Sequence, residues 1–436
     1  MLLLLILAKI IIPFFILLNM LPLLIWLERK GAAYIQDRRG PNRASLFGVI
    51  RLGGLIHAIT DVIKLVNKED ITPSNANKFF YYLAPFIAMS VACVTFAVLP
   101  FADSIRWNGA WITFQAADLN AGILYVLSIS SIGIFGIMLG AWSSNSKYTL
   151  LGGLRSSAQM ISYEIVMSMA IISVLMMAGS LELSKVVENQ GSIPLQVSLL
   201  DHFPYLHLQG WNFIRQPIAC LFFIVAMFAE ANRLPFDLPE GESELVAGYH
   251  TEYSSLKFAL FFMAEYVNMT IASGVLATLF FGGWQIPFMS SAYIRENASM
   301  ILTLVLAVLA ITHVLGGAVL LKKGIKNIRI RKWGNGWDYE PAVIGTAALG
   351  LGLLLSALLY FLYPISLTEN GGLILQVVLQ ALTFLAKILF FCWVFIWVRW
   401  TLPRFRYDQL MNLGWKKMLP ISLLNILVTG VCLLAI

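Results

Sequence analysis

The sequence predicts an all-α polytopic membrane protein with about ten transmembrane helices and one amphipathic interfacial helix. Of the 436 residues, 59% are hydrophobic and only 12% are charged, whereas soluble domains usually carry about 25% charged residues. Apolar runs of about 20 residues, long enough to cross the hydrocarbon layer, recur along the whole chain. These observations exclude a soluble globular domain, a disordered chain and a small disulfide scaffold.

The apolar runs place the predicted spanning helices. They fall at 2–27, 79–100, 119–142, 157–179, 212–231, 258–281, 298–321, 342–363, 373–398 and 418–436. The first run has no basic segment before it, so we expect a retained span and not a cleaved signal.

The amphipathic helix is predicted within residues 47–68. Its apolar positions recur at helical spacing: Leu52, Leu55, Ile56, Ile59, Ile63 and Val66. Its polar positions fall on another face: His57, Asp61, Lys64 and Lys68. The pattern is typical of a helix that lies along the membrane surface. It could serve only as an anchor, or it could also cover a cavity between the bilayer and a soluble partner.

The basic residues predict the orientation. In a ten-helix arrangement, 24 of the 30 Lys and Arg residues fall on one side and four on the other. Cytoplasmic loops carry the excess of Lys and Arg. We therefore expect the large loops in the cytoplasm, both termini on the outer side, and a location in a bacterial cytoplasmic (inner) membrane. Because topology explains the net charge of +7, we expect no nucleic-acid partner.

The sequence predicts no redox cofactor in this chain. Its four cysteines lie singly in apolar runs without a CxxC or a Cys/His cluster, and it has neither GxxxxGK[ST] nor GxGxxG after a strand. We expect no bound metal, flavin or iron–sulfur cluster, and no catalytic residue that acts in this chain alone. If the protein takes part in oxidation and reduction, a partner must supply the electrons.

Carboxylates are concentrated between residues 230 and 266, and two more lie in or next to spans. The candidates are Glu28, Glu164, Glu230, Asp237, Glu240, Glu242, Glu244, Glu252 and Glu265. An ionised carboxylate in the hydrocarbon layer is costly, so such residues usually face water or one another. Coupled carboxylates of this kind can take up and release protons. Alternatively, the acidic loop is simply solvated or binds a basic partner.

Three arginines, Arg38, Arg39 and Arg43, surround a Gly40–Pro41 turn at the predicted membrane surface. Their guanidinium groups could bind lipid phosphates, pair with the acidic loop, or orient a polar headgroup such as a quinone. From the residues alone, the lipid or structural interpretation is favoured.

Several segments resemble the quinone-site membrane subunit of respiratory complex I (NADH:quinone oxidoreductase), the family that includes mitochondrial subunit 1. They are ERKGAAYIQDRRGPNR (28–43), DVIKLVNKED (61–70), ADLNAGILY (117–125), GAWSSNSKYTLLGGLRSSAQMISYE (140–164), PFDLPEGESELVAGYHTEYSSLKFALFFMAEY (235–266), LFFGGWQ (279–285) and LPRFRYDQLMNLGWKKMLP (402–420). They occur in order along nearly the whole chain.

The resemblance implies roles for individual residues, with quinone as the substrate. Glu28, Arg38, Arg39 and Arg43 would line a quinone inlet, and Arg233 and Asp237 would belong to the loop beneath the quinone chamber. A polar path for protons would include Glu164, Glu230, Glu240, Glu242, Glu244, Glu252 and Glu265. The implied partners are the peripheral-arm redox subunits with the terminal iron–sulfur cluster, the neighbouring membrane-arm subunits and membrane lipid.

The sequence departs from the family pattern at 288–372, where we expect an inserted helix pair between a core at 1–287 and the last two core helices at 373–436. Its basic loop, 322–341, is either a topological anchor or a docking surface for the peripheral arm or anionic lipid. Two other functions stay open. One is the related subunit of a ferredoxin- or hydrogenase-linked pump, and the other is a stand-alone transporter, which often shows an inverted repeat.

Overall fold

The computed structural model describes residues 2–45, 51–107, 109–192, 210–238, 246–332, 338–363 and 367–435. Within these ranges the chain is almost entirely helical, and nine helices are long and apolar enough to cross a membrane. The prediction of an all-α polytopic membrane protein is therefore confirmed.

The helices of the described ranges are numbered in chain order. They are α1 (Leu2–Ile35), α2 (Ile56–Asn67), α3 (Lys78–Thr95), α4 (Gly122–Ser143), α5 (Lys147–Ala178), α6 (Leu183–Ser192), α7 (Asn212–Arg215), α8 (Pro217–Glu230), α9 (Ser255–Phe280), α10 (Ser291–Glu296), α11 (Ala298–Ile330), α12 (Glu340–Leu362), α13 (Glu369–Thr401), α14 (Tyr407–Asn412) and α15 (Leu419–Ala435). A 3₁₀ turn at Leu52–Gly54 precedes α2, and a π-helical stretch at Leu413–Met418 joins α14 to α15.

The predicted span at 212–231 differs from a regular transmembrane helix. It is divided into α7 and α8, and α8 has only 14 residues, or about 21 Å of helix against a hydrocarbon layer of about 30 Å. The division falls at Pro217, which has no N–H to donate and therefore begins a new helix as its first residue. Hydropathy alone does not detect this break.

Several helices are longer than their apolar runs. Helix α1 continues to Ile35 instead of ending near 27, α5 begins at Lys147 instead of 157, and α11 continues to Ile330 instead of ending near 321. An apolar run marks the part of a helix inside the hydrocarbon, whereas the backbone hydrogen bonds continue beyond it. These extensions bring α1, α5 and α11 out of the apolar layer at their ends.

A short antiparallel hairpin joins α3 to α4. Its strands are β1 (Ile105–Trp107) and β2 (Ala110–Ile112), with Ile105 opposite Ile112. The sequence analysis predicted no strand here, because three residues are too few to show an alternating pattern.

Helix α9 lies at the centre of the described bundle. It packs against α1, α3, α8 and α13, while α5 packs against α4, α8 and α15. Large side chains such as Tyr163, Phe223, Phe280 and Phe384 are fully buried between these helices. Residues on α9 are therefore enclosed by protein along most of its length.

Helices α11 and α12 form a pair at the edge of the bundle and pack closely on each other through glycines. A Cβ atom on Gly324 would lie 2.3 Å from the backbone N of Ala342, and one on Gly345 would lie 2.5 Å from the backbone N of Leu321. Small residues that allow backbones to approach are typical of helix contacts in membranes. Most other side chains of the pair point away from the rest of the chain.

Candidate functional site

The loops that contain most of the basic residues meet at one end of the bundle, which we call the basic end. Arg29 contacts Asp61 at 2.5 Å, and Lys257 contacts Asp70 at 2.9 Å. The backbone N–H of Asn77 donates to the carbonyl of Ser143 at 3.0 Å. These contacts join α1 to α2, and the segment between α2 and α3 to the start of α9 and the end of α4, in one surface.

Four charged residues lie together beneath this surface, and we call them the charge cluster: the buried Glu28, Arg233 and Glu265, and the partly buried Arg399. Arg399 Nη1 is 2.7 Å from Glu28 Oε1. Arg233 lies between the two carboxylates, with Nη1 3.7 Å from Glu28 Oε2 and Nη2 3.6 Å from Glu265 Oε2. The cluster thus contains two carboxylates and two guanidinium groups.

Two tyrosines complete the surroundings of the charge cluster. The hydroxyl of Tyr266 donates to Glu28 Oε2 at 2.7 Å, and the hydroxyl of Tyr249 donates to Glu265 Oε1 at 3.1 Å. The guanidinium of Arg233 also lies 4.2 Å from the centre of the Tyr266 ring, a favourable cation–π geometry. Each carboxylate therefore has a guanidinium and a phenol as partners.

The four charged residues come from four separate segments. Glu28 lies on α1, Glu265 on α9 and Arg399 in the last turn of α13. Arg233 follows α8, where Asn232 adopts a positive φ of 49° and the Arg233 N–H donates to the carbonyl of Phe228 at 3.2 Å. The turn after α8 directs Arg233 into the space between α1, α9 and α13. Charges buried this deeply are tolerated only when they are paired and hydrogen-bonded.

Asp237 lies near the charge cluster but belongs to a separate ion pair. Its Oδ2 is 2.9 Å from Arg404 Nη2, and Asp237 itself is buried. The N–H of Phe405 donates to the carbonyl of Pro235 at 3.1 Å, and Phe405 stacks on Phe236. The segment between α13 and α14 thus holds the described part of the loop after α8.

A cavity of about 70 Å³ extends from the charge cluster into the bundle. Its lining includes Glu265 and Asn268 on α9, Ser130 on α4, and Glu230 at the end of α8. Ser130 forms a side-chain hydrogen bond with Glu230, which interacts electrostatically with Glu164. The hydroxyl of Ser131 donates to Glu164. Polar groups therefore continue from Glu265 through the cavity to Glu164.

The predicted site residues divide into three groups in the structure. Glu28, Arg233 and Glu265 lie in the charge cluster. Glu230 lines the cavity, and Glu164 lies next to it, within electrostatic range of Glu230 and bonded to Ser131. The other described members are outside both: Arg38, Arg39 and Arg43 are exposed at the basic end, Asp237 pairs with Arg404, and Glu252 uses its backbone carbonyl to accept from Tyr81 at 2.6 Å. Glu240, Glu242 and Glu244 lie outside the described residues.

Sequence reasoning missed several residues that complete the site. These are Arg399, Arg404, Tyr249, Tyr266, Ser130, Ser131 and Asn268. In the sequence, Arg399 and Arg404 look like topological charges, because their partners lie about 370 and 170 residues away. The sequence signal for Arg399 is its place at the end of an apolar run, where a guanidinium needs a partner.

Helix α2 carries a titratable residue, His57, at the basic end. Burial lowers the pKa of His57 from its usual value, partly opposed by the nearby charge of Asp61. His57 Nε2 accepts a hydrogen bond from the N–H of Ala44 at 3.1 Å, as a neutral imidazole can. His57 therefore attaches the segment after α1 to α2.

Among the described residues, no group of three or more His, Cys, Asp or Glu side chains is arranged to hold a metal ion. The expectation that this chain binds no metal, flavin or iron–sulfur cluster remains a prediction.

Comparison with known proteins gives consistent matches along nearly the whole chain. The sequence model of a family described as NADH dehydrogenase matches residues 7–334 and 342–430. These matched ranges include helix α11 and nearly all of helix α12.

Individual relatives match over a similar length. NADH-quinone oxidoreductase subunit 8 of Rhodothermus marinus is 42% identical over 93% of this chain and 90% of its own. An NADH-quinone oxidoreductase subunit of Solibacter usitatus is 41% identical over 97% of this chain and 95% of its own. The corresponding subunit of Salinibacter ruber is 40% identical over 92% of this chain and 88% of its own. The chain therefore belongs to the NADH dehydrogenase family, together with these subunits of NADH-quinone oxidoreductase.

Proposed function

We propose that this chain is the membrane subunit that forms the quinone inlet and the chamber floor in a proton-translocating NADH:quinone oxidoreductase. The observation that carries the proposal is the charge cluster, because Glu265 belongs both to this cluster and to the cavity that continues to Glu230. The relatives named above are subunits of NADH-quinone oxidoreductase. Electrons come from partner subunits of the peripheral arm.

The proposed inlet begins where α1 leaves the bundle. Helix α1 runs without interruption from Glu28 in the charge cluster to Ile35, and the chain continues to the exposed Arg38, Arg39 and Arg43. A quinone has an apolar tail and a polar headgroup, so an inlet must join lipid to a polar interior. The segment 28–43 provides both environments within 16 residues.

The proposed proton path uses groups that exchange protons or hold water. A cavity of about 70 Å³ has room for a few water molecules. Such waters, with Ser130 and Asn268, could connect Glu265 to Glu230, and the hydroxyl of Ser131 reaches Glu164.

Quinone reduction can act on this path through charge. A quinone takes up two electrons and two protons to become a quinol, and negative charge develops before protonation. At an effective dielectric constant of about 20, a unit charge about 8 Å from a carboxylate interacts with it by about 2 kcal/mol. The charge cluster lies between the proposed inlet and the cavity, so this change in potential acts more strongly on Glu265 than on Glu230.

The remaining parts of the chain have proposed locations. The excess of Lys and Arg at the basic end supports a cytoplasmic location for this end and an outer location for both termini. We also propose that the redox arm binds at the basic end, that neighbouring membrane subunits and lipid surround the bundle, and that residues 288–372 form a unit separate from 1–287 and 373–436.

The proposal is tested on the native complex, purified through a tag on this chain. We expect reduction of a short-chain quinone by NADH that is sensitive to a quinone-site inhibitor. In Glu164→Gln and Glu230→Gln, proton uptake per electron should fall about tenfold or more, because amides cannot carry a proton. Glu296→Gln, which changes an exposed carboxylate at the end of α10, is the matched control and should behave as the unmodified protein.

Three results would contradict the proposal. Full pumping and quinone reduction in Glu164→Gln would remove Glu164 from the path. A co-purified arm that oxidises ferredoxin or evolves hydrogen would place the chain in the related pump. Recovery of a redox-silent chain without partners would favour a stand-alone transporter.

A further inference from the structure

The first residue of α12, Glu340, reaches the connection between α1 and α2. Glu340 Oε1 accepts a hydrogen bond from the backbone N–H of Gly53 at 3.1 Å. The carbonyl of the same Gly53 accepts from the indole N–H of Trp26 on α1, also at 3.1 Å. One glycine in the 3₁₀ turn is thus held on one side by the core helix α1 and on the other by the peripheral pair.

The conformation of this turn depends on such contacts. Gly53 has a φ of +61° and Gly54 a φ of +99°, which lie in the left-handed region that glycine adopts most easily. A Cβ atom on Gly54 would lie 2.1 Å from the carbonyl oxygen of Pro41. Gly54 therefore packs directly on Pro41, so a displacement of the 3₁₀ turn would alter this contact.

Glu340 also interacts with a residue on α1. It lies within electrostatic range of Lys30, whose ammonium donates to the side chain of Asn42. One carboxylate is thus coupled to the segment before the Gly40–Pro41 turn and to the 3₁₀ turn that packs against it. Lys30 lies inside segment 28–43, which is proposed as the quinone inlet. The 3₁₀ turn that contains Gly53 packs directly against the same segment.

The opposite end of the helix pair is also attached to the bundle. The Leu367 N–H donates to the hydroxyl of Ser299 at 3.1 Å, and Gly372 on α13 packs closely on Ala298. Helices α11 and α12, fixed to each other by their glycine contacts, therefore span from this attachment to Gly53. The pair thus connects α13 to the 3₁₀ turn before α2, so a displacement of α13 would also displace this turn.

We propose that Glu340 is a positioning residue for the quinone inlet, through which the peripheral helix pair holds the connection between α1 and α2 in place. The inference rests on the proposed function, because it concerns the inlet assigned there. Without Glu340, the 3₁₀ turn at Leu52–Gly54 samples other conformations, and the fraction of molecules with a formed inlet falls. The apparent affinity for quinone falls in proportion to the fraction of molecules with a formed inlet. The kcat for quinone reduction is unchanged, because the substitution leaves the charge cluster intact.

The test compares Glu340→Ala and Glu340→Gln with Glu369→Ala in the assembled native complex. Glu369 is a matched control because it is an exposed glutamate in the first turn of α13. Two quantities are measured: amide hydrogen exchange in the peptide that contains Gly53, and kcat and KM for a short-chain quinone. Arg38→Ala serves as an independent test of the inlet itself.

We expect faster exchange at Gly53 in Glu340→Ala and a rise of about three- to tenfold in KM with unchanged kcat, as for the loss of one charged hydrogen bond. Glu340→Gln, which keeps an acceptor oxygen, should show smaller changes, and Glu369→Ala none. Unchanged exchange in Glu340→Ala would overturn the inference. Faster exchange with unchanged KM would also overturn it, provided that Arg38→Ala raises KM. If neither variant raises KM, the proposed inlet fails instead.

Discussion

Helix α9 and the pair α11–α12 are both apolar enough to cross a membrane, yet their surroundings differ completely. Within the most apolar 18-residue window of each helix, 72% of α9 is buried, compared with 11% of α11 and 11% of α12. Helix α9 nevertheless carries Glu265 and Lys257, whereas the Lys and Arg residues of α11 are confined to its last turns, between 322 and 330. The more enclosed helix is thus the one that carries a carboxylate within its length.

The difference follows from where each helix finds its partners. On α9, Glu265 is close to Arg233 and Tyr249, and its neighbour Tyr266 contacts Glu28. On α11 and α12, the partners are glycine backbones, and the outward side chains are left to lipid or a neighbouring subunit. A helix inside a bundle can therefore carry charge at membrane depth because the protein supplies counter-charges, and a peripheral helix cannot.

The largest expected effect comes from removing a counter-charge at the centre. Arg233→Met leaves Glu265 without its guanidinium partner and Glu28 with only Arg399, so we expect a loss of about 3–5 kcal/mol in stability. The measurement is the amount of assembled complex and its thermal unfolding in detergent. Arg329→Met is the control, because Arg329 is exposed at the end of α11. Equal stability of the two variants would show that the centre does not depend on paired charge.

A second variant tests whether carbonyl oxygens alone, without a carboxylate, stabilise the ammonium group of Lys387. Lys387 on α13 donates to the carbonyls of Phe281, Gly283 and Gln285 at 2.7–2.8 Å, just beyond the end of α9. Lys387→Met removes these three hydrogen bonds, and we expect a loss of about 1–3 kcal/mol in stability. Lys9→Met, which removes one hydrogen bond to Thr113, should cost less. A Tm for Lys387→Met at or above the parent value would contradict this account.

The smallest expected effect on activity concerns the peripheral pair. Gly324→Val forces a side chain against the backbone of Ala342, so the pair should be destabilised by about 1–3 kcal/mol. The kcat for quinone reduction should be retained, and KM should rise only as far as the nearby contact of Glu340 is disturbed. The same substitution at Gly316 has open space, with nothing within 4 Å of a new Cβ. Limited proteolysis of the two variants, followed by peptide mapping of 288–372, measures the difference. Equal cleavage would show that α11 and α12 do not depend on close glycine contacts.

Much of the fold could be predicted from apolar runs. The positions of all nine long helices and of α2 follow from stretches of hydrophobic residues and from helical spacing. The division of 212–231 into α7 and α8, the hairpin of β1 and β2, and the ends of α1, α5 and α11 were not predicted. These features depend on proline, on very short strands and on backbone hydrogen bonds beyond the apolar layer, to which hydropathy is insensitive.

The candidate site was predicted in part. Glu28 and Glu265 stood out because charged residues in or beside an apolar run are rare, and the family resemblance implied a role for Arg233. The structure places the three together. Arg399 and Tyr266 did not stand out, although they make the closest contacts with Glu28. A tyrosine or a terminal arginine is unremarkable in a membrane helix until its partner is known.

The sequence alone determined that the chain crosses a membrane many times, because hydrophobic transfer energy depends on local composition. It also determined which carboxylates need partners, because the cost of burying a charge depends on its own segment. Only the tertiary structure decided which partners they have. The pairs Glu28–Arg399, Asp237–Arg404 and Gly53–Glu340 join positions that are about 170 to 370 residues apart. Helix packing brings such positions together, and the residue pattern within a single segment does not indicate which distant segment will pack against it.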